Sequence, residues 1–182
     1  MSSFKNVCSL YNRKKDKNMK LLILLIPALI WSASLKELKE LTPSQVEVLK
    51  KSMAYGKEYN LSYTLAAIAW KESNFGKYLV GKTTPDYGVF QNNIKTFSRR
   101  FKDRIQKSGL TKDEVINALT HSFDIGAEAA LAELKFWMKS RKWLHAVQSY
   151  NDGTYISSKG ESYGADIARR VALLKKFYQN LA

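Results

Sequence analysis

The sequence predicts a mainly α domain, and three observations carry the prediction. From Leu35 onward, apolar residues recur at three- and four-residue intervals, the spacing that lays one face of a helix against a core. Over the same stretch Pro43 and Pro85 are the only prolines, so few helices have to break. Thr42-Pro43-Ser44-Gln45 and Thr111-Lys112-Asp113-Glu114 have the makeup of capping boxes: a threonine that accepts from the third helical amide, and a Gln or Glu that reaches back to the threonine amide. At 182 residues and 45% apolar content, the chain can fill one core and is short for two.

The elements follow in order. Thr42 opens a helix with proline at its first position, running to about Glu58. A second helix covers Ser62 to Ser73. The stretch 75–87, FGKYLVGKTTPDY, carries Gly76, Gly81 and Pro85 and reads as a loop or short hairpin. A helix is expected to resume near Gln91. The box at Thr111 opens a helical region that continues through Leu119 and the Ala-rich segment 127–132 to about Ser140. The last helices span Trp143 to Tyr150 and Tyr163 to Gln179. In the final one, Ile167, Val171, Leu174 and Tyr178 line one face while Arg169, Arg170, Lys175 and Lys176 occupy the rest, the pattern of a core-packing helix with a solvated face.

Residues 1–34 stand apart. LLILLIPALIW at 21–31 is an apolar run preceded by Lys20 and a basic stretch, the form of a secretory signal. It is about half the length a membrane span needs and contains Pro27, which argues against a stable membrane anchor. Ser32 and Ser34 suit a signal peptidase and predict cleavage after Ser34, leaving a domain at 35–182. Met19 followed by Lys20 makes a compact signal by itself, so Met19 is a candidate for the true start. Cys8, the only cysteine, falls in the removable part, and disulfides and cysteine metal sites are excluded from the remainder.

The formal charge is +14. Residues 1–34 hold six basic and one acidic side chain, so the exported part keeps 24 basic against 15 acidic. Such an excess suits an anionic polymer without choosing among nucleic acid, membrane surface and cell envelope. His121 and His145 are isolated from any Asp, Glu or Cys at ligand spacing, so no metal and no cofactor are expected.

Glu72 is the most unusual residue. It follows Leu65, Ile68 and Ala69 at seven, four and three positions, which puts a carboxylate on the apolar stripe of its helix. Burial and the negative end of the helix both disfavour its ionised form, so its pKa is expected to rise toward what a general acid needs. The ordinary alternative is a glutamate paired with Lys71 or Lys77 at a frayed helix end.

WKESNFG at 70–76, DYGVFQNN at 86–93 and SYNDG at 149–153 occur in this order. With FDIGAEAALAEL at 123–134, and Tyr163 and Ile167 near the end, they resemble the lytic transglycosylase domain of the lysozyme superfamily over residues 61–178. The resemblance implies a lysozyme-like helical fold and cleavage of peptidoglycan glycan strands. Residue by residue, it implies Glu72 as acid and base, Gln91, Tyr87 and Tyr150 lining the saccharide cleft, Asn151 holding the site's geometry, and Ser73 and Gly88 as motif members, with Ser73 also counted among the substrate contacts. Glu72 would protonate the bond between N-acetylmuramic acid and N-acetylglucosamine, then deprotonate the sugar's own 6-hydroxyl, giving a 1,6-anhydro end without water.

Three positions depart from the pattern: Phe90 where methionine is frequent, Asn92 where an aliphatic residue is usual, and Asp152 where alanine is common. Asp-Tyr-Gly-Val-Phe-Gln at 86–91 also resembles animal-type lysozymes, which makes Asp86 a possible second carboxylate and a water-using muramidase an open alternative. Asp86 after Pro85 is equally a turn residue. Trp70, Trp137 and Trp143 at helical spacing read as core rather than as sugar platforms. A non-catalytic wall-binding protein is a further reading; no nucleic-acid motif occurs. Small domains of this family habitually open the wall for secretion, conjugation or pilus assemblies, and family habit points to the periplasm.

Overall fold

The computed structural model describes residues 36–178. The expected export segment at 1–34 lies outside them. Residues 36–41 form part of a separate unit, with a helical turn at 36–39. The fold proper begins at Thr42.

Helix α1 (Pro43–Gly56) starts where the capping box predicts: the Thr42 amide donates to the Gln45 side chain at 3.0 Å, and the Gln45 amide donates back to Thr42 Oγ1 at 3.4 Å. A 3-10 turn (Lys57–Tyr59) and left-handed Asn60 lead into α2 (Ser62–Ser73). Leu65, Ala66, Ala67, Ile68, Ala69 and Trp70 are all buried, so α2 is apolar nearly all round rather than on one stripe. Such a helix sits in the middle of a fold, and α2 packs chiefly against α1 and the final helix. Its alanines let those neighbours approach closely, and Trp143 Nε1 donates to Thr64 Oγ1 at 3.0 Å to close one side.

The loop after α2 leads to a two-stranded antiparallel ribbon, β1 (Asp86–Tyr87) and β2 (Asn92–Asn93), with Asp86 opposite Asn93 and Tyr87 opposite Asn92. The helix expected near Gln91 begins later, as α3 (Ile94–Arg100). Gln91 is left-handed at φ 46°, which no helix accepts, and Asn93 supplies the cap through its Oδ1 to the Lys95 and Thr96 amides. Helix α4 (Lys102–Ser108) follows, then α5 (Lys112–His121) with its predicted Thr111–Glu114 box in place. Ile94, Val115, Leu119 and Ala129 form a buried cluster under the ribbon, with Tyr87, Phe97 and Ile105 among the side chains packed on it.

The helical region foreseen from Thr111 to Ser140 breaks at Ser122, whose backbone is extended and whose hydroxyl caps the next helix at the Ile125 amide. That helix is α6 (Phe123–Met138). Serine in this role competes with helix continuation because its own oxygen replaces a backbone acceptor. Helix α7 (Trp143–Asp152) and helix α8 (Ser158–Tyr178) complete the domain. Helix α8 begins five residues before the expected Tyr163. Ser157 Oγ accepts from the Lys159 and Gly160 amides, and the Asp152 carboxylate, five residues upstream, takes the Ser157 amide at 2.7 Å and the Gly160 amide at 3.1 Å. Among the described residues no helix is long and apolar enough to cross a membrane.

Candidate active site

Glu72 occupies the last turn of α2, where Asn74, Phe75 and Gly76 then take left-handed backbone in succession (φ 49°, 54° and 85°). Three such residues reverse the chain within one turn, and two of them carry side chains that resist the conformation. Phe75 compensates by burying its ring against Trp70, with centroids 5.9 Å apart. Ser73 holds the turn: its hydroxyl lies 2.7 Å from the Val89 carbonyl and 3.1 Å from the Ala69 carbonyl, and accepts from the Gly76 amide at 2.8 Å. Ser73 is fully buried with its hydroxyl engaged by backbone, so its part is to join the helix end to the ribbon rather than to meet a ligand.

Among the described residues Glu72 has no ion-pair partner. Lys71 turns to Asp166 at 2.8 Å, and Lys77 lies over the Tyr78 ring, so the paired-glutamate alternative does not describe this side chain. Burial pushes its pKa up to about 6, the Asp86 charge pushes the same way, and the Tyr163 hydroxyl and the charges of Lys71 and Lys159 offset part of the rise. The Tyr163 hydroxyl, from α8, is buried beside the carboxyl and acts on it as a donor, though its geometry falls short of a regular hydrogen bond and it has no other partner. Burial and the Glu72 charge hold both Tyr163 and Tyr150 far above the ordinary phenol value, so both stay protonated. Tyr150 donates to the Phe90 carbonyl at 2.8 Å, tying α7 to the turn between β1 and β2.

Asp86 opens β1 and accepts from Asn93 Nδ2 at 2.8 Å. Gln91 forms the ribbon's turn, its side-chain amide donating to the Gly88 carbonyl at 2.9 Å. Gly88 is left-handed at φ 79° and sits so close to α5 that a Cβ would collide with the Leu119 carbonyl. The ribbon is thereby pressed onto the helical body beside Glu72. Tyr87 packs part of its ring onto the cluster under the ribbon. Asn151 is exposed and donates to its neighbour Asp152 at 2.6 Å. Glu72, Asp86 and Tyr150 therefore share one electrostatic neighbourhood, while Asn151 lies on the surface of α7 next to it.

Tyr163 entered the sequence reading only among the residues that carry the family resemblance and was given no place in the site. Its signal was present: Gly160 and Gly164 bracket it, and each lets α8 close on α7, where a Cβ on Gly160 would strike the Asp152 carboxylate and one on Gly164 would meet Gln148 Cγ at 2.5 Å. That close approach turns Tyr163 toward Glu72.

His121 and His145 are exposed, and among the described residues no group of three or more His, Cys, Asp or Glu side chains is placed to hold a metal ion. The arrangement offers one partly shielded carboxyl, two protonated tyrosines and a neighbouring aspartate, a set suited to moving a proton at a bond brought against Glu72. No curated protein and no solved structure matches the chain at a significant level. The family model of the transglycosylase SLT domain matches residues 50–170, a span that takes in Glu72, the ribbon, Tyr150 and Tyr163. The chain belongs to the transglycosylase SLT domain family, within the lysozyme-like superfamily.

Proposed function

We propose that this protein is a lytic transglycosylase that cleaves the β-1,4 bond between N-acetylmuramic acid and N-acetylglucosamine in peptidoglycan and leaves a 1,6-anhydro-muramic end. The observation that carries the reading is an unpaired, shielded Glu72 with a pKa of about 6 inside the matched domain. Neutral Glu72 donates its proton to the glycosidic oxygen, and the C1–O bond of the muramic residue breaks as positive charge develops at C1. The 6-hydroxyl of the same sugar then attacks C1 and gives its proton to the Glu72 carboxylate, which restores the starting state without water. One carboxyl serves both steps. Protonated Tyr163 and Tyr150 provide hydroxyl dipoles on the side of the carboxylate, and Gln91 at the ribbon turn is positioned to contact the strand.

Asp86 supports a second reading, because its charge reaches Glu72 and a water-using muramidase needs a second carboxylate. In the preferred reading Asp86 helps keep Glu72 protonated and does not touch the sugar. Mass spectrometry of fragments released from purified peptidoglycan separates the two. Anhydro-muramic ends, still formed by Asp86→Asn at a reduced rate, are expected; reducing ends that disappear in Asp86→Asn would establish the muramidase instead. Export to the periplasm, and service to a secretion, conjugation or pilus assembly, complete the proposal and rest on the signal-like segment and family habit.

A further inference from the structure

Tyr155 is 88% exposed, the most exposed large side chain with apolar surface among the described residues, where the next, Val80, reaches 57%. An exposed ring on a slack loop means little, but this loop is held at both ends. On one side the Arg141 guanidinium donates to the Thr154 carbonyl at 2.7 Å and the Gly153 carbonyl at 3.4 Å and also bonds Ser149 Oγ. Arg141 is itself braced by stacking on Trp137, 4.6 Å from the ring centroid, and Trp137 Nε1 is fixed by Glu133 at 2.6 Å. On the other side the Asp152 carboxylate takes the Ser157 and Gly160 amides. Tyr155 thus stands between two clamps, five residues after Tyr150 and eight before Tyr163.

Both flanking tyrosines enter the surroundings of Glu72, and so does the charge of Lys159 in the first turn of α8. The loop that carries Tyr155 therefore leaves one residue of the Glu72 surroundings and returns to another within thirteen positions. A planar ring held out to solvent at fixed height matches the apolar face of a pyranose ring, since a preorganised aromatic loses little freedom on stacking.

We propose that Tyr155 is a saccharide-stacking residue at the edge of the Glu72 cleft, displayed by a loop that Arg141 and Asp152 hold in place, and that it takes the apolar face of an N-acetylated β-1,4-linked sugar away from the bond that breaks. The inference rests on the transglycosylase reading for its ligand class. Arg141 acts through Tyr155 and is a positioning residue.

The test is titration of the β-1,4 N-acetylglucosamine hexamer into full-length Glu72→Gln protein, alone and combined with Tyr155→Ala, Tyr155→Trp or Arg141→Lys, beside KM and kcat on peptidoglycan with Glu72 intact. Tyr155→Ala should weaken hexamer binding and raise KM about tenfold while kcat stays within about twofold. Tyr155→Trp should restore both. Arg141→Lys should raise KM in the same direction and add nothing once Tyr155 is alanine. Equal binding with and without the Tyr155 ring, or a loss that tryptophan fails to recover, would overturn the proposal. If the wild-type protein releases no fragments while the hexamer still binds in a Tyr155-dependent way, the catalytic reading fails and the stacking residue stands.

Discussion

A carboxyl in the last turn of a buried helix meets two unfavourable fields, the low polarity around it and the negative end of the helix. Lys71 is ion-paired with Asp166 rather than with Glu72, and the charges of Lys71 and Lys159 relieve these fields only in part, so the Glu72 pKa rises to about 6. Catalysis that begins with proton donation needs the neutral form, so kcat/KM should fall as pH rises through about 6; a rate profile flat from pH 5 to 8 would contradict the assignment. The same shift has a stability sign. A group whose pKa is higher folded than unfolded favours the fold below the unfolded value and loses that contribution as pH rises through the folded one. Glu72→Gln should therefore be about 1 to 2 kcal/mol more stable than wild type at pH 8 and nearly equal at pH 4, as chemical denaturation at the two pH values would report. The shielding of Glu72 was legible in the sequence, since Leu65, Ile68 and Ala69 precede it at helical spacing, although α2 is apolar nearly all round rather than on the one stripe they suggest. Tyr163 was not, because its approach depends on how closely α8 crosses α7 and no local pattern states that distance.

At the scale of elements, most of the folding information is local chemistry at chain ends and turns. The boxes at Thr42 and Thr111 fixed two helix starts from four letters each, and Thr111→Ala should cost about 1 kcal/mol in thermal or chemical denaturation. Where the sequence misled, the signal was nonlocal or too small to read. The stop at Ser122 is one serine oxygen inside an otherwise helical run, and the early start of α8 relies on an aspartate in the preceding helix. Gln91 belongs to a turn only because the ribbon folds back onto α5, which Gly88 alone permits. Gly88→Ala combines a left-handed backbone with a collision at the Leu119 carbonyl, so it should destabilise the domain by about 2 to 3 kcal/mol and lower activity even at temperatures where it stays folded. A Gly88→Ala protein with wild-type denaturation would show that the ribbon does not press on α5.

For the molecule as a whole, the central fact is a buried helix whose last turn carries the proposed catalytic carboxyl, packed on α1, α8 and α6 and joined to the ribbon turn through Ser73. Asp166 fastens α8 to that helix through Lys71, with Arg169 and Arg170 beside it and the Arg170 guanidinium 4.3 Å from the Trp70 ring centroid. Burial would raise its pKa, but these three cations outweigh burial and hold it well below the usual carboxylate range. A depressed pKa stabilises the fold above the unfolded value, near 3.9, and that contribution is lost as pH falls through the folded one. Stability should thus decline below about pH 4, and Asp166→Asn, already weaker at pH 7, should show less of that decline. The overall basic charge adds a long-range attraction to anionic wall polymer that salt screens, in keeping with a strand-cleaving role at the cell wall. The most direct test of the role proposed for Glu72 is the rate at which Glu72→Gln releases fragments from purified peptidoglycan, with circular dichroism recorded on the same sample. The account predicts an unchanged fold and a rate at least about a thousandfold lower, the loss expected when the group that both donates and accepts the proton is removed. A folded Glu72→Gln protein that keeps a tenth or more of the wild-type rate would show that the proton comes from elsewhere.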